Sequence, residues 1–261
     1  MTDDATPLFG ATRTRLASRH ALIAPDGRMD DGVPGWRDAR TTILISPRLA
    51  AATAPDFVQL LATLEGGGGT DAAPAGVERF VYVLDGAVNV RIGARGERLG
   101  PGGYAFAPSD WSSELTADGP ARVLVVEKRY RHGPDGHAPD AVFGDAADAE
   151  PRPFLGAGGV TGAPLLPDTP GYDLSLTLMR YRPGAALPLV ETHEAEHGLL
   201  LLEGGGIVRL DESWYPVQEG DAVWMGPYCP QWFAALGERD AVYLLYKDGR
   251  RGAWAAPAAD G

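Results

Sequence analysis

Residues 79–86 read RFVYVLDG, and residues 198–204 read GLLLLEG. Both runs are apolar almost throughout, and both end in an acidic residue followed by glycine. A third run, AVYLLYK at 241–247, has the same character. Short apolar runs bounded by turn signals are typical of strands, and the lack of polar alternation indicates burial on both faces. The sequence therefore predicts strands that lie between two apolar layers.

The two halves of the chain repeat one another. Residues 57–129 slide forward by 118 positions onto residues 175–247 without a gap. Tight turns between strands favour glycine, so glycines recur at the turns when a fold is repeated. The coinciding positions are Gly66 with Gly184, Asp85-Gly86 with Glu203-Gly204, Gly102 with Gly220, Leu60 with Leu178, and Val90-Arg91 with Val208-Arg209. Each copy is predicted to be one antiparallel barrel or jelly roll.

The repeat predicts an N-terminal barrel at 1–150 and a C-terminal barrel at 151–261. Residues 131–170 are rich in Pro, Gly, Ala and Asp, so we expect them to connect the two copies. Residues 248–261 read as a loose tail. The 35 Gly and 22 Pro favour short strands over long helices. The predicted fold class is all-β, with two tandem β-barrels.

Composition excludes several kinds of partner. The net charge is −12, and no Lys/Arg cluster overrides it, so nucleic acid is not an expected partner. The single cysteine, Cys229, rules out an internal disulfide and suits a reducing compartment. The acidic first residues lack the apolar core of a signal peptide, and no run of about 18 apolar residues suggests a membrane span. We expect a soluble cytoplasmic protein.

The segment ETHEAEHG, residues 191–198, contains two of the five histidines of the chain and three glutamates. Its centre, HEAEH, has the H-E-x-x-H spacing of a zinc-protease helix. The repeat argues against that interpretation, because the matching residues 73–79 contain an interior Pro and Gly, which disfavour a helix. In an extended strand, residues two apart share a face, so Glu191 and His193 can point at one spot. A solvated acidic loop with two incidental histidines is the alternative.

The same segment resembles the first motif of the cupin superfamily, G-x5-H-x-H-x3,4-E-x6-G. Gly184, Glu191, His193, His197 and Gly204 follow this motif, with Glu191 in place of the first histidine and His197 in place of the glutamate. Residues 220–231 resemble the second motif, G-x5-P-x-G-x2-H, and end in Gln231 where the motif has histidine. The resemblance implies two tandem cupin (jelly-roll) domains and a metal site at Glu191, His193, His197 and Gln231.

This donor set suits a divalent metal. Two neutral imidazoles and a carboxylate bind such an ion, and the amide oxygen of Gln231 adds a weak, hard ligand. The oxygen donors favour Mn²⁺, while Fe²⁺, Zn²⁺ and Ni²⁺ stay open, because affinity order and metal availability also decide.

The N-terminal copy lacks such a set. Its corresponding residues are Ala73, Ala75, Arg79 and Ser113, and Arg79 would repel a cation. We therefore expect the first barrel to be structural and free of metal. The remaining histidines, His20, His132 and His137, lie outside both motifs and are predicted to be surface or loop residues.

About residues 20–250 resemble one bicupin family in particular, the (S)-ureidoglycine aminohydrolases of purine (allantoin) degradation. The matching stretches are E-T-H-x-x-E-H-G at 191–198, W-x-P-V-x-x-G-D at 214–221, M-G-x-Y-x-x-Q at 225–231, and Tyr243 with Lys247. The resemblance implies Mn²⁺-dependent hydrolysis of (S)-ureidoglycine to (S)-ureidoglycolate and ammonia. It also implies a small-molecule substrate and a homo-oligomer. The substrate contacts that it implies are Glu191, Gln231, Tyr243 and Lys247.

The resemblance leaves the roles of two residues open. Lys247 either pairs with the substrate carboxylate as a point charge or, with a pKa lowered by an apolar barrel, passes a proton to the departing amine. Glu191 is a metal ligand and a possible proton acceptor. Tyr243 and Lys247 are four apart on a predicted strand, so both can face the barrel interior, where Tyr243 could bind the ureido carbonyl.

Two other functions remain possible from the sequence. A cupin dioxygenase with Fe²⁺ and O₂ could use the same Glu/His/His face, although Gln231 argues against it. A bicupin that binds a small metabolite without turnover is the second alternative, and no helix-turn-helix or basic stripe supports a transcriptional role.

Overall fold

The computed structural model describes residues 12–30, 32–49, 55–132 and 138–249. The first residues and most of the predicted tail lie outside the described residues, as does His137. The described strands are β1 Arg15–Leu16, β2 His20–Ile23, β3 Trp36–Ile45, β4 Phe57–Thr70, β5 Val77–Asp85, β6 Val88–Ile92, β7 Arg95–Leu99, β8 Gly103–Ala107, β9 Ser113–Ala117, β10 Ala121–Arg129, β11 Val142–Asp145, β12 Arg152–Pro153, β13 Val160–Pro164, β14 Leu174–Tyr181, β15 His197–Glu203, β16 Gly205–Leu210, β17 Ser213–Gln218, β18 Ala222–Met225, β19 Gln231–Ala235 and β20 Ala241–Asp248. Short 3-10 turns at Pro25–Gly27 and Ala146–Asp148 accompany them, so the all-β prediction is confirmed.

The first barrel is one continuous antiparallel sheet. Its strands run in the order β11-β8-β5-β10-β4-β9-β6-β7, and β3 pairs with β4. The 14-residue β4 closes the barrel, because its first part pairs with β10 and its end, Gly69 and Thr70, pairs with β9. The glycine run at 66–69 makes this corner possible. Gly67 has a φ of +86°, and a Cβ on Gly69 would lie 2.0 Å from the Leu115 carbonyl oxygen.

The second barrel is built from two sheets. The larger has the order β1-β2-β18-β15-β20-β14-β13-β12, and the smaller has the order β17-β16-β19. Their facing side chains form the interior of this barrel, with Leu199, Tyr243 and Met225 from the larger sheet against Val208 and Phe233 from the smaller.

A third apolar core lies between the two barrels. Successive side chains on a strand point to opposite faces, so one strand can supply two cores. In β5, Val81 and Val83 face the first barrel's interior, whereas Phe80 and Tyr82 face the second barrel. In β15, Leu200 joins the same inter-barrel core. This confirms the prediction that the quoted apolar runs are strands buried on both faces.

The repeat is confirmed, but its spacing is not uniform. The offset of 118 residues holds for the pairings among β5 to β9 and their counterparts β15 to β19. The predicted match of Leu60 with Leu178 is wrong by one residue. Leu60 pairs with Val125, whose counterpart in the second barrel is Leu245, and Leu245 pairs with Thr177. The shift arises because the second copy has one more residue between equivalent positions of β14 and β15 than the first has between those of β4 and β5.

The last strand of each copy differs in register by two further residues. Residues 118–120 connect β9 to β10, whereas residues 236–240 connect β19 to β20. Lys247 pairs with His197, and the residue that pairs with Arg79 is Glu127. The first-barrel counterpart of Lys247 is therefore Glu127 and not Arg129, which a gapless alignment would give.

The ends of the two halves cross over. Although residues 15–23 precede the first barrel, they add β1 and β2 to the larger sheet of the second, where β2 pairs with β18. The predicted connection at 131–170 contains ordered strands, since β11 extends the first sheet and β12 and β13 extend the second. The boundary between 150 and 151 stays a prediction. Among the described residues, no helix has the length and apolarity needed to cross a membrane.

Candidate functional site

The segment that carries the predicted ligands is irregular and not helical. Residues 192–196 contain no helix and end where β15 begins with His197. At the start of the segment, Glu191 and Gln231 bond to each other through both backbone N–H and C=O groups, each at 2.9 Å. This bridge brings the two predicted ligand motifs together, and the expectation that HEAEH is not a protease helix is confirmed.

Gln231 joins the two histidines. Its Oε1 lies 3.1 Å from Nδ1 of His197, and its Nε2 lies 2.9 Å from Nε2 of His193. The centroids of the two imidazole rings are 4.4 Å apart. Gln231 lies 38 positions after His193 and 34 after His197 in the sequence, yet the three side chains are in contact. We call these two imidazoles and one carboxamide the His–Gln–His cluster.

The hydrogen bonds favour one tautomer for each ring. His193 Nδ1 lies 3.2 Å from the Ala195 carbonyl and can donate to it, which leaves Nε2 to accept from the carboxamide. His197 can donate from Nδ1 to Gln231 Oε1, which leaves its Nε2 with a free lone pair. That nitrogen is fully buried and has no hydrogen-bond partner among the described residues. A buried imidazole with an unused lone pair is poised for a ligand.

The electrostatic environment keeps both imidazoles neutral. Burial lowers the pKa of His193, with a further contribution from the charge of Lys247. Burial also lowers the pKa of His197 well below its usual value, and the neighbouring His193 and Lys247 act in the same direction. Neutral imidazole is the form that binds a metal, so the cluster needs to lose no proton at neutral pH.

Two opposing effects act on the pKa of Glu191. Half-burial raises the pKa of this carboxyl, and the positive charge of Lys247 opposes the rise. Lys247 pairs with His197 across β20 and β15, so its backbone is directly beside the cluster. Both residues are therefore near the histidines, as the sequence predicted.

Tyr243 lies in the same cavity and has a partner that the sequence analysis missed. The hydroxyl groups of Tyr243 and Tyr181 are 2.8 Å apart, and both side chains are buried. Burial raises the pKa of Tyr243 well above its usual value, so its phenol stays protonated and can donate. Both tyrosines, Glu191, His197 and Gln231 line a cavity of about 40 Å³. No sequence motif marks Tyr181, which lies at the end of β14.

The cluster has the donors for a metal ion, but not as three ionisable ligands. No group of three or more His, Cys, Asp and Glu side chains with the arrangement of a metal site occurs within 12–30, 32–49, 55–132 and 138–249. The carboxamide of Gln231 supplies the third contact, and the carboxylate of Glu191 lines the same cavity. Two neutral imidazoles, a free buried Nε2, an amide and a carboxylate fit a borderline or hard divalent cation.

The first barrel has a smaller cavity at the equivalent place. It measures about 10 Å³, and most of its lining residues stand 118 positions before lining residues of the second cavity. Among these are Arg79 for His197, Val81 for Leu199, Val90 for Val208, Ala107 for Met225 and Ser113 for Gln231. Arg79 is buried, and its guanidinium bonds to Glu127 at 2.7 Å and to the Asp71 carbonyl at 2.7 Å. That the first barrel holds no metal stays a prediction, and a paired cation there supports it.

A larger groove of about 540 Å³ lies between the barrels, but none of the six predicted site residues lines it. Its half-buried arginine, Arg28, donates to the backbone carbonyls of Ile23 and Gly220 and thereby fastens the N-terminal segment. We place the chemistry at the smaller cavity, because the perturbed titratable groups converge there.

The two described histidines outside the cluster differ in their exposure to solvent. His132 is exposed, as predicted. The prediction of a surface or loop position for His20 is wrong, since it is a buried strand residue whose Nε2 lies 3.0 Å from the Tyr215 hydroxyl. The cause is the crossover of β2 into the second barrel, which sequence periodicity does not reveal.

Comparison with known proteins gives a consistent result. The cupin domain family matches residues 177–246, which include all the candidate site residues except Lys247. A probable (S)-ureidoglycine aminohydrolase of Oryza sativa is 37% identical over 94% of this chain and 77% of its own length. The (S)-ureidoglycine aminohydrolase of Arabidopsis thaliana is 36% identical over 94% of this chain and 80% of its own. The crystal structure of Escherichia coli protein Ylba superposes with a TM-score of 0.80 at 30% identity, covering 91% of this chain and 94% of that one.

Proposed function

The chain belongs to the (S)-ureidoglycine aminohydrolase family of cupin proteins, and from this premise we propose that it hydrolyses (S)-ureidoglycine to (S)-ureidoglycolate and ammonia. The observation that carries the proposal is the 36–37% identity, over 94% of the chain, to relatives that bear this name. In the reaction, a water oxygen bonds to the carbon that carries the amino group, the C–N bond breaks, and the nitrogen leaves as ammonia. The enzyme is thus a hydrolase acting on a C–N bond.

The metal part of the proposal assigns Mn²⁺ to Glu191, His193, His197 and Gln231. The free Nε2 of His197, the neutral imidazoles and the oxygen donors support it. Fe²⁺, Zn²⁺ and Ni²⁺ can use the same donors, and Mn²⁺ is preferred for the two oxygen ligands. A bound divalent ion would supply a Lewis acid with open positions for the substrate.

The side chains around the cluster bind and orient the substrate. The ammonium of Lys247 faces the substrate carboxylate as a point charge, and its influence on the pKa of Glu191, His193 and His197 is consistent with a place beside all three. Tyr243, kept protonated by burial and held by Tyr181, donates to the ureido carbonyl. Fixing three groups of one carbon centre selects a single enantiomer.

Glu191 moves the proton. Its carboxylate lines the same cavity as His197 and can accept a proton from the attacking water. The same carboxyl can return that proton to the departing amine. The backbone of Gln231 holds the backbone of Glu191 through two hydrogen bonds. These bonds fix the position from which the Glu191 side chain extends.

The remaining expectations belong to the same proposal. The substrate is a small molecule, the enzyme acts in the cytoplasm as the single cysteine suggests, and copies of the chain form a homo-oligomer as the family resemblance implies.

Ammonia release from freshly generated (S)-ureidoglycine tests the proposal. We expect release above the spontaneous rate with Mn²⁺ added, loss of it after chelation, and recovery when Mn²⁺ is restored. The assay is run without oxygen, because sustained anaerobic release excludes a dioxygenase. A protein that carries Mn²⁺ but releases ammonia no faster than the spontaneous reaction would refute the activity.

A further inference from the structure

Glu196 stands between the two histidines of the cluster in sequence, but its side chain bonds elsewhere. It is only 5% exposed. Its Oε1 accepts a 2.7 Å hydrogen bond from the backbone N–H of Asp56, which belongs to the first barrel. Its Oε2 accepts a 3.1 Å hydrogen bond from Nε1 of Trp224, a fully buried residue of the inter-barrel core. Both carboxylate oxygens are thus used to fasten the ligand segment to the junction between the barrels.

The contacts continue along the strand on both sides of His197. The backbone carbonyl of Glu196 accepts from Asp248 N–H at 3.0 Å. Gly198 lies so close to the first barrel that an added Cβ would meet Cζ of Phe57 at 2.6 Å. Gln59 Nε2 reaches the carbonyl of Leu199 at 3.4 Å. The first barrel therefore touches the residues that directly precede and follow His197.

We infer that Glu196 is a positioning residue, through which the first barrel holds His193 and His197 in the orientation that the proposed metal site needs. The inference rests on the metal part of the proposed function. Groups that orient metal ligands without touching the ion commonly change metal affinity when they are removed. Here the holding group comes from a different barrel, which gives the first copy a role in the chemistry of the second.

The first barrel contains the matched comparison. Glu78 stands 118 positions before Glu196, is completely buried, and lies close enough to Asp173 of the second barrel to affect the pKa of that carboxyl. Asp173 in turn pairs with Lys128 and accepts from Arg131 N–H at 2.7 Å. Each barrel thus presents a buried glutamate to the other. Only Glu196 precedes an imidazole, because Glu78 is followed by Arg79, whose guanidinium is already paired with Glu127.

The experiment compares Glu196→Gln with Glu78→Gln and Glu194→Gln. Gln at 196 keeps the shape but can accept only one of the two hydrogen bonds, since its second polar atom is a donor. Glu78→Gln perturbs the same interface, and Glu194→Gln removes a carboxylate from the same segment. The probe is Mn²⁺ alone, added to chelator-treated full-length protein and followed by calorimetry and by the electron paramagnetic resonance spectrum of the bound ion.

We expect Glu196→Gln to weaken Mn²⁺ affinity by about 10-fold or more, the usual effect of losing such an orienting contact. Its resonance spectrum should differ from the wild type, and its kcat should stay low at saturating Mn²⁺. Glu78→Gln and Glu194→Gln should keep wild-type affinity and spectrum. In the metal-free protein, ¹⁵N spectra of the two imidazoles should change in Glu196→Gln alone.

Wild-type affinity and spectrum in a folded Glu196→Gln protein would overturn the inference, and so would equal weakening in Glu78→Gln, which would indicate a general effect of the interface. If Glu196→Gln does not fold, Trp224→Phe removes the Nε1 donor, together with part of the buried ring, and should give a smaller loss in the same direction; unchanged affinity there counts against the inference. Binding is measured without substrate. A wild type that releases no ammonia would therefore refute the proposed activity and leave the positioning inference standing.

Discussion

The two barrels share one strand framework and differ in what they place at a single position. In the first barrel, buried Arg79 pairs with Glu127 across β5 and β10. In the second, His197 and Lys247 occupy the same pair of strand positions. The first arrangement satisfies its charges internally, and such a pair needs no ligand. The second leaves a neutral imidazole with an unused nitrogen beside an ammonium group, which is an arrangement open to a cation and an anion.

The cavities show the same difference. The first is about 10 Å³ and is lined mainly by small apolar side chains around Arg79 and Ser113. The second is about 40 Å³ and contains two tyrosine hydroxyls as well as His197 and Gln231. By strand pairing, the first-barrel residues at the tyrosine positions are Leu64 and Val123. The difference between the two cavities thus lies in a few inward-facing side chains, placed at equivalent positions of equivalent strands.

The strongest test of this comparison is Lys247→Met. Loss of the ammonium should lower kcat by about 10²–10⁴-fold, the range for removing a group that acts on charge or protons in the reaction. Metal content should stay intact, because Lys247 is not an expected ligand. Ammonia release and metal analysis on the same sample measure the two effects. Glu127→Gln at the equivalent place in the first barrel is the control, with unchanged turnover per folded molecule. Unchanged kcat in Lys247→Met would remove Lys247 from the mechanism.

Removal of the first barrel's buried cation should affect stability and not chemistry. Arg79→Ala leaves Glu127 without its partner in a mostly buried place, and we expect the free energy of unfolding to fall by about 2–4 kcal/mol. Urea denaturation measures it. Arg91→Ala, which breaks an exposed pair with Glu114, is the matched control and should cost about 1 kcal/mol or less. If Arg79→Ala instead abolished Mn²⁺ binding in a folded protein, the division into a structural and a functional barrel would be wrong.

The smallest effect is expected for Tyr181→Phe. The change removes one hydroxyl from the 2.8 Å contact with Tyr243, and a neutral hydrogen bond contributes about 0.5–1.5 kcal/mol. Since Tyr243 then orients less firmly, KM for (S)-ureidoglycine should rise while metal affinity is unaffected. Steady-state kinetics with added Mn²⁺ measures this. A change confined to metal affinity would show that the tyrosine pair serves the cluster rather than the substrate.

Much of the fold could be predicted because its signals are local or periodic. Apolar runs such as 79–86 and 241–247 are long enough to be buried on both faces, and recurring glycines reveal the repeat. The register of the outer strands could not be predicted. It depends on loop lengths, and a gapless comparison cannot detect the two extra residues in 236–240. The crossover of β2 was also missed, because strand pairing over about two hundred residues leaves no periodic trace.

The candidate site divides in the same way. Glu191, His193, His197 and Gln231 could be proposed as ligands because they lie at fixed spacings within two motifs, and their binding of a metal stays a prediction. Tyr181 was not found, because its relation to Tyr243 exists only across paired strands.

By itself, the sequence determined the repeated strand pattern, the all-β class and which side chains have groups suited to binding a metal or a substrate. These follow from hydrophobic periodicity and residue type. Tertiary structure alone decided which atoms meet. It joined Gln231 to both imidazoles, left one nitrogen of His197 buried and free, and turned Glu196 toward the other barrel. The physical reason is that strand register, loop length and close packing between barrels set side-chain contacts, and none of these is encoded at a fixed distance along the chain.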